Sequence, residues 1–300
     1  MVEGKWLPTQ MATCLRYLTY TLILSLAIIY RPPQFMVDAY KRYKLRNEHI
    51  VVSLTTTPYR IGKMAKYLQA IIEQNVKIDN IYLCVPHKFK RNNLEYNIPD
   101  FISQNKKITI LRTEDYGPGT KLLGVLETVK LPPKTIIITL DDDTPYPKNL
   151  ILELAYKAYQ NPDKAVGLSG GDPAYDQDGF LDEKYPLGLH KRNMKENSMS
   201  VLLGYAGIAY RVEFLDEKVF DIVNSDPGCI YGDDFYMSFY LAQKNIERIN
   251  VKNRFISAFS INWLNELSTS EDALNQLEST GKKYKNCLAF MQSKYPEVNF

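Results

Sequence analysis

Thr135 to Asp143 reads TIIITLDDD. Six uncharged residues, mostly β-branched, run straight into three consecutive aspartates. A short apolar run of this kind predicts a strand covered on both faces, central in a parallel sheet. Open α/β sheets bind ligands at the carboxyl ends of their strands, which is where the three aspartates fall. Adjacent carboxylates repel one another, and burying them without partners is costly. A divalent cation removes the conflict, and hard oxygen ligands favour Mg²⁺ or Mn²⁺. Such a cation bridges one or two carboxylates to a diphosphate and stabilises departing charge. The bland alternative is a solvated acidic turn in which Asp142 or Asp143 caps the next helix. The position behind TIIITL and ahead of Pro145 and Pro147 favours the ligand site.

Outward from that strand, the pattern alternates. Ile50 to Leu54 reads as a buried strand meeting the loop Thr55-Thr56-Thr57-Pro58. Met64 to Gln74 carries a helical stripe. Ile81 to Val85 and Ile108 to Leu111 are further strands, and Thr120 to Val129 a helix. Asn149 to Tyr159 is a helix and Ala165 to Leu168 a short strand. This order predicts an α/β fold, a mostly parallel sheet flanked by helices. Residues 170–200 are polar, rich in Gly and Asp and without periodicity, and a loop of that length is usually functional. Leu202 to Arg211 (LLGYAGIAYR) is apolar and glycine-rich. Asp233 to Lys244 reads as a helix, and the last forty or so residues as an amphipathic helical tail. The expected organisation is a hydrophobic segment over 1–31, a basic linker over 32–49, the catalytic domain over 50–258 and the helical tail over 259–300.

The composition is that of a packed globular chain, with 45% hydrophobic and 24% charged residues. A net charge of +3 gives no footprint for nucleic acid. Cys14, Cys84, Cys229 and Cys287 are scattered without metal-type spacing, and nothing in them demands an oxidising compartment. Tyr17 to Tyr30 is an uncharged apolar run, shorter than the ~20 residues that span a bilayer. Extending it to Met11 reaches that length but takes in Arg16. A single-pass membrane anchor, a core or membrane-surface helix and a signal peptide are the three readings, the anchor foremost. For an anchor, Arg31, Lys41, Arg42, Lys44 and Arg46 outweigh Lys5 and Arg16, so the positive-inside rule leaves the catalytic domain cytosolic and membrane-associated. A Golgi-type lumenal topology is the competing arrangement.

The strand–DDD–helix arrangement resembles the DxD motif of GT-A type, family-2-like glycosyltransferases of bacterial and viral kind. Three other stretches agree with it: VVSLTTTPYR (Val51 to Arg60), DYGPGTKLLGVL (Asp115 to Leu126) and YGDDFYMSFYLAQKNI (Tyr231 to Ile246). The resemblance covers about Ile50 to Phe259 and rests on the order and spacing of the motifs. It implies a metal-dependent transfer of a sugar from a nucleoside-diphosphate donor, UDP-linked, to an acceptor hydroxyl on a glycan, lipid or protein. Thr55, Thr57 and Arg60 would then line the nucleotide pocket. Asp141 would face the ribose and share the metal, with Asp142 beside it, and Asp143 would take Mn²⁺ or Mg²⁺. Lys121 would lie near the diphosphate or donor sugar. Gly204 to Gly207 would admit the sugar to the backbone, Gly207 included.

An inverting transfer needs one base on the acceptor hydroxyl. Asp234 matches the last acidic position of the family's motif and is the candidate, while Asp233 stands where Glu is usual. Asp233 as a helix N-cap is the structural alternative. His49, His87 and His190 are the only histidines and none follows Asp234, so the histidine that completes some metal sites of this family is missing. Tyr231-Gly232-Asp233-Asp234 also spells the YGDD of RNA-dependent RNA polymerases, but FYMSFYLAQ behind it has helical spacing and not that of a strand. A sugar nucleotidyltransferase shares the sheet but opens with a glycine pair that TTTPYR lacks. A non-catalytic carbohydrate-binding protein is the remaining class.

Overall fold

The computed structural model describes residues 17–18, 33–175, 177, 189–190, 200–221, 229–251, 280–296 and 298. The chain divides into two compact units, residues 1–44 and 45–300. In the first unit, helix α1 (Gln34–Lys44) occupies the basic stretch. Gln34 Nε2 donates to Asp38 Oδ1 at 2.7 Å, and Phe35, Met36, Tyr40 and Tyr43 are exposed. No helix of the described residues is long and apolar enough to cross a membrane. The run from Tyr17 to Tyr30 lies outside the described residues except for Tyr17 and Leu18.

The second unit is a sheet of seven strands flanked by helices. In chain order its first half is β1 (Ile50–Thr55), α2 (Ala65–Ile72), β2 (Asn80–Pro86), the single turn α3 (Asp100–Ser103), β3 (Ile108–Thr113), α4 (Thr120–Thr128) and β4 (Ile136–Thr139). Then come α5 (Leu150–Gln160), β5 (Lys164–Gly167), β6 (Gly170–Pro173), β7 (Leu189–His190), β8 (Val201–Leu202), β9 (Ile208–Arg211), α6 (Asp233–Gln243), β10 (Glu247–Asn250) and α7 (Thr280–Lys294). The sheet order is β10-β5-β9-β4-β1-β2-β3, so β4, the TIIITL strand, is the middle of the seven. All pairings are parallel except those of β9, which runs antiparallel to both β4 and β5.

The pleat sorts the core. Val52, Leu54, Ile136 and Ile138 meet Leu68 and Ile71 of α2 and Leu150, Leu154 and Ala155 of α5 on one face. Val51, Cys84 and Ile137 meet Leu122, Leu123 and Val125 of α4 and Phe235, Tyr236, Phe239 and Tyr240 of α6 on the other. Leu288 and Met291 of α7 join this second face. Consecutive residues of β4 thus feed opposite cores, as a period of two requires. Both covered faces hold the strand ends still, so the loop after β4 leaves from a rigid base.

Two features depart from the sequence reading. The expected long polar loop begins as a strand: β6 pairs antiparallel with β7 and with β8 in a small three-stranded sheet. Most of residues 176–199 lies outside the described residues. The glycine-rich LLGYAGIAYR stretch splits into β8, a 3₁₀ turn (Gly204–Ala206) and the reversed strand β9. Of the tail, α7 is described, and residues 252–279 lie outside the described residues.

Leu154 is fully buried in the first core. Leu154→Ala should lower stability by about 2–5 kcal/mol, the usual cost of truncating a buried leucine. Urea unfolding with an unchanged slope would show it.

Candidate active site

β1 delivers three threonines in succession, and the pleat sends neighbours in opposite directions. Thr55 Oγ1 donates to the Cys84 carbonyl at 2.8 Å, back into the sheet. Thr56 Oγ1 donates to Asp142 Oδ2 at 2.5 Å. The Thr57 carbonyl accepts from the N–H groups of Arg60 and Ile61, closing the turn that carries Arg60. From there Arg60 spans two carboxylates, with Nη2 3.0 Å from Asp142 Oδ1 and Nη1 2.9 Å from Asp143 Oδ2. Thr144 Oγ1 donates to the other oxygen of Asp143 at 3.2 Å.

Asp141 turns the opposite way. Its N–H donates to the Tyr146 hydroxyl at 2.9 Å, and that hydroxyl donates to the Tyr205 carbonyl at 3.0 Å. Its Oδ1 lies 2.9 Å from Lys121 Nζ. Lys121 Nζ also lies 3.1 Å from Asp233 Oδ2, in the first turn of α6. Asp234 Oδ1 accepts from the Gly204 N–H at 2.8 Å. Gly232 is the N-cap of α6 and no side chain caps that helix, so capping does not account for Asp233. Nor does either later aspartate cap α5, which begins at Leu150 behind Asn149.

Lys121 reaches this position through the GPG loop. The Asp115 carboxylate accepts from the Gly117 and Lys90 N–H groups, and Thr120 Oγ1 accepts from the Tyr116 N–H. Ser53 Oγ donates to the Lys121 carbonyl and fixes the start of α4 on β1. Glycine is required here by contact as well as by conformation. Gly117 has φ +61°, and a Cβ there would lie 2.3 Å from the Ile230 carbonyl oxygen. A Cβ on Gly119 would lie 1.9 Å from the Tyr236 hydroxyl. The GPG loop is therefore seated directly on the segment that carries Asp233 and Asp234.

That segment is also held covalently. Cys229, at the head of the 3₁₀ turn Cys229–Tyr231, forms a disulfide with Cys287 of α7. The sequence reading found no metal-type spacing and no demand for an oxidising compartment in the four cysteines, and did not pair these two. Only Cys84 is a free cysteine among the described residues, and burial pushes its thiol up to about 12.

Among the described residues, five carboxylates, Asp141, Asp142, Asp143, Asp233 and Asp234, meet the cations Arg60 and Lys121. The titration behaviour follows. Burial works against the charge on Lys121, but Asp141, Asp233 and Asp234 outweigh it and hold the amine well above its ordinary value. Burial, then Asp141 and Asp142, push Asp143 up to about 7 against the pull of Arg60. Burial, then Asp233, push Asp234 up to about 8 against Lys121. Both shifts come first from burial and then from the neighbouring carboxylates. Among the described residues no group of three or more His, Cys, Asp or Glu is set to hold a metal. An ion of the Mg²⁺ or Mn²⁺ type needs only one or two carboxylates and completes its shell with water and phosphate oxygens.

The residues singled out in the sequence are gathered unevenly. Arg60, Lys121, Asp141, Asp142, Asp143, Asp233 and Asp234 join one network. Thr55 faces the sheet, and Thr57 contributes its carbonyl to the turn. Asp142 is 1% exposed and is turned toward Thr56 and Arg60. Gly207, at φ +88°, faces Leu140 and Leu154 in the core; the close backbone approach is at Gly204, where a Cβ would lie 2.8 Å from Lys121 Nζ. Thr56, Tyr146 and Tyr205 were not singled out. Tyr146, three residues behind the aspartates, was the one with a visible signal.

No family model matches the chain, and no curated protein matches it. Among solved structures, it is similar to 2-C-methyl-D-erythritol 4-phosphate cytidylyltransferase from Francisella tularensis, with 16% identity, 73% of this chain and 98% of the other covered, and a TM-score of 0.42. The synthase of 4-diphosphocytidyl-2C-methyl-D-erythritol from Anaerococcus prevotii matches at 13% identity over 73% and 97%, with a TM-score of 0.41. GalNAc-T7, solved with UDP, GalNAc and Mn²⁺, matches at 15% identity over 68% of this chain and 42% of that one, with a TM-score of 0.45. Identities this low, at such scores, say nothing about activity.

Gly119→Ala should displace Tyr236 and lower the melting temperature, whereas Gly62→Ala, with open space around it, should leave the melting temperature unchanged. Parallel melts of the two variants compare them directly. Cys287→Ser removes a cross-link over a sequence separation of 58. It should cost about 4 kcal/mol of stability on chain-entropy grounds, and non-reducing against reducing unfolding curves test it.

Proposed function

We propose that the chain is a metal-dependent glycosyltransferase that moves a sugar from a nucleoside-diphosphate donor, UDP-linked, to an acceptor hydroxyl. The observation that carries this reading is the convergence of three segments on one charged network. The TTTPYR turn, the DDD loop and the start of α6 meet through Arg60 and Lys121. A donor diphosphate needs a cation beside hard oxygen ligands, and an acceptor needs a carboxylate a short distance away. The two kinds of group are adjacent here.

In this reading, Asp141 and Asp143 hold Mg²⁺ or Mn²⁺, which neutralises charge on the departing diphosphate. Asp142, tied to Thr56 and Arg60, sets the shape of the loop. Lys121 fixes Asp141 against Asp233. Asp234 takes the proton of the acceptor hydroxyl as that oxygen attacks the anomeric carbon, which gives inversion. A retained product would remove Asp234 from that role. A sugar nucleotidyltransferase is the second reading, favoured by no specific residue: TTTPYR lacks the glycine pair such enzymes open with.

The acceptor, whether glycan, lipid or protein, is set by residues around β6 to β8 and by the tail. The Cys229–Cys287 disulfide favours an oxidising compartment. We therefore place the catalytic unit in a lumen or outside the cell, in preference to the cytosolic topology that the charge asymmetry suggested.

The test is a panel of nucleotide sugars with Mn²⁺, scored for nucleoside diphosphate release by wild type and Asp143→Ala. Release from one donor, lost in the variant, is expected; pyrophosphate as the product would establish the second reading instead. Asp234→Asn should lower kcat by about 10²- to 10⁴-fold. Since Asp234 must be ionised to accept a proton and its pKa is raised to about 8 in the metal-free site, kcat/KM should climb with pH, and at saturating metal the rise should fall below that region because the added positive charge lowers it. A profile flat from pH 4 to 9 would dismiss Asp234 as the base.

A further inference from the structure

We propose that Arg60 is a displaceable counter-ion: it occupies the Asp143 carboxylate while the site is empty, and passes to the donor's phosphate oxygens when a divalent cation takes Asp143. The inference rests on the metal-dependent reading above and adds an order of events to it.

The two cations of the network are not equivalent. Lys121 is buried, its side chain 9% exposed, and is fixed between Asp141 and Asp233 on two different elements. Arg60 sits on a short turn, its side chain 20% exposed, and forks across two carboxylates. Asp142 keeps a second anchor in Thr56 when the fork leaves. The oxygen of Asp143 that faces Arg60 is 2.9 Å from the guanidinium, within a contact distance that a metal ion bound there would have to share. Two positive groups cannot occupy one carboxylate oxygen without strong mutual repulsion. Metal entry at Asp143 Oδ2 and the Arg60 contact with that oxygen are therefore alternatives. The withdrawn fork has the shape for phosphate, which accepts paired N–H donors as a carboxylate does. A diphosphate arriving with the metal supplies that partner, and the two ligands then bind with positive coupling.

The experiment counts bound Mn²⁺ by electron paramagnetic resonance on the full chain, without nucleotide. Wild type, Arg60→Gln, Asp143→Asn and the double variant are compared. Arg60→Gln should bind Mn²⁺ about tenfold more tightly than wild type, and the double variant should lose that gain. UDP affinity at saturating Mn²⁺ should fall about tenfold in Arg60→Gln. Arg60→Gln binding Mn²⁺ no more tightly than wild type overturns the proposal, as does unchanged UDP affinity. Should Arg60→Gln fail to fold, Arg60→Lys serves instead. Its point charge cannot span both carboxylates, so a severalfold gain in Mn²⁺ affinity is expected, and no gain overturns the proposal. If Asp143→Asn binds Mn²⁺ as wild type does, the metal-site reading itself falls. If Asp143→Asn loses Mn²⁺ and Arg60→Gln gains nothing, only the role of Arg60 falls.

Discussion

The contact on which the site depends is one ammonium group between two carboxylates, Lys121 between Asp141 and Asp233. The three residues belong to the start of α4, the end of β4 and the start of α6. A buried lysine is tolerated only when its charge is matched, and removing Lys121 would take away the cation that stands between Asp141 and Asp233. The requirement reaches outward. α4 must begin where Lys121 meets Asp141, which Ser53 and the Asp115 loop secure. The loop must lie flat on the Ile230–Tyr236 segment, which admits only glycine at 117 and 119.

The sheet supplies the rigidity for this arrangement. β4 is the central strand and buries both faces, so Asp141 leaves a fixed point. Tyr146 then ties the Asp141 N–H to the Tyr205 carbonyl, within the turn that places Gly204 against Asp234. Two small bonds thus link the loop after β4 to the stretch between β8 and β9. The reversed direction of β9 brings that stretch back to the carboxyl end of β4, where a parallel strand would have carried it to the other edge.

Much of this was legible in the sequence, for identifiable reasons. TIIITL announces a central strand because only a strand covered on both faces tolerates six such residues in a row. The aspartates behind it stand out because adjacent carboxylates repel, and the structure answers them with Arg60 and Lys121. The rest was hidden by chemistry that sequence patterns do not carry. LLGYAGIAYR shows burial but has no direction, so the antiparallel β9 was not evident. ERIN of β10, polar at alternate positions, did not stand out as a strand. Three adjacent threonines look alike on paper, and only the pleat reveals that the middle one reaches Asp142 while Thr55 faces Cys84. Cys229 and Cys287 lie too far apart for any spacing rule to pair them.

The carboxylates of the site are electrostatically linked. Burial and then Asp233 raise Asp234, Asp141 adds to them through space, and Lys121 opposes. Any gain of positive charge beside Asp141 therefore lowers Asp234. Under the proposed reading, Asp234 would be ionised least in the metal-free site and more once a cation sat beside Asp141, through charges already in place.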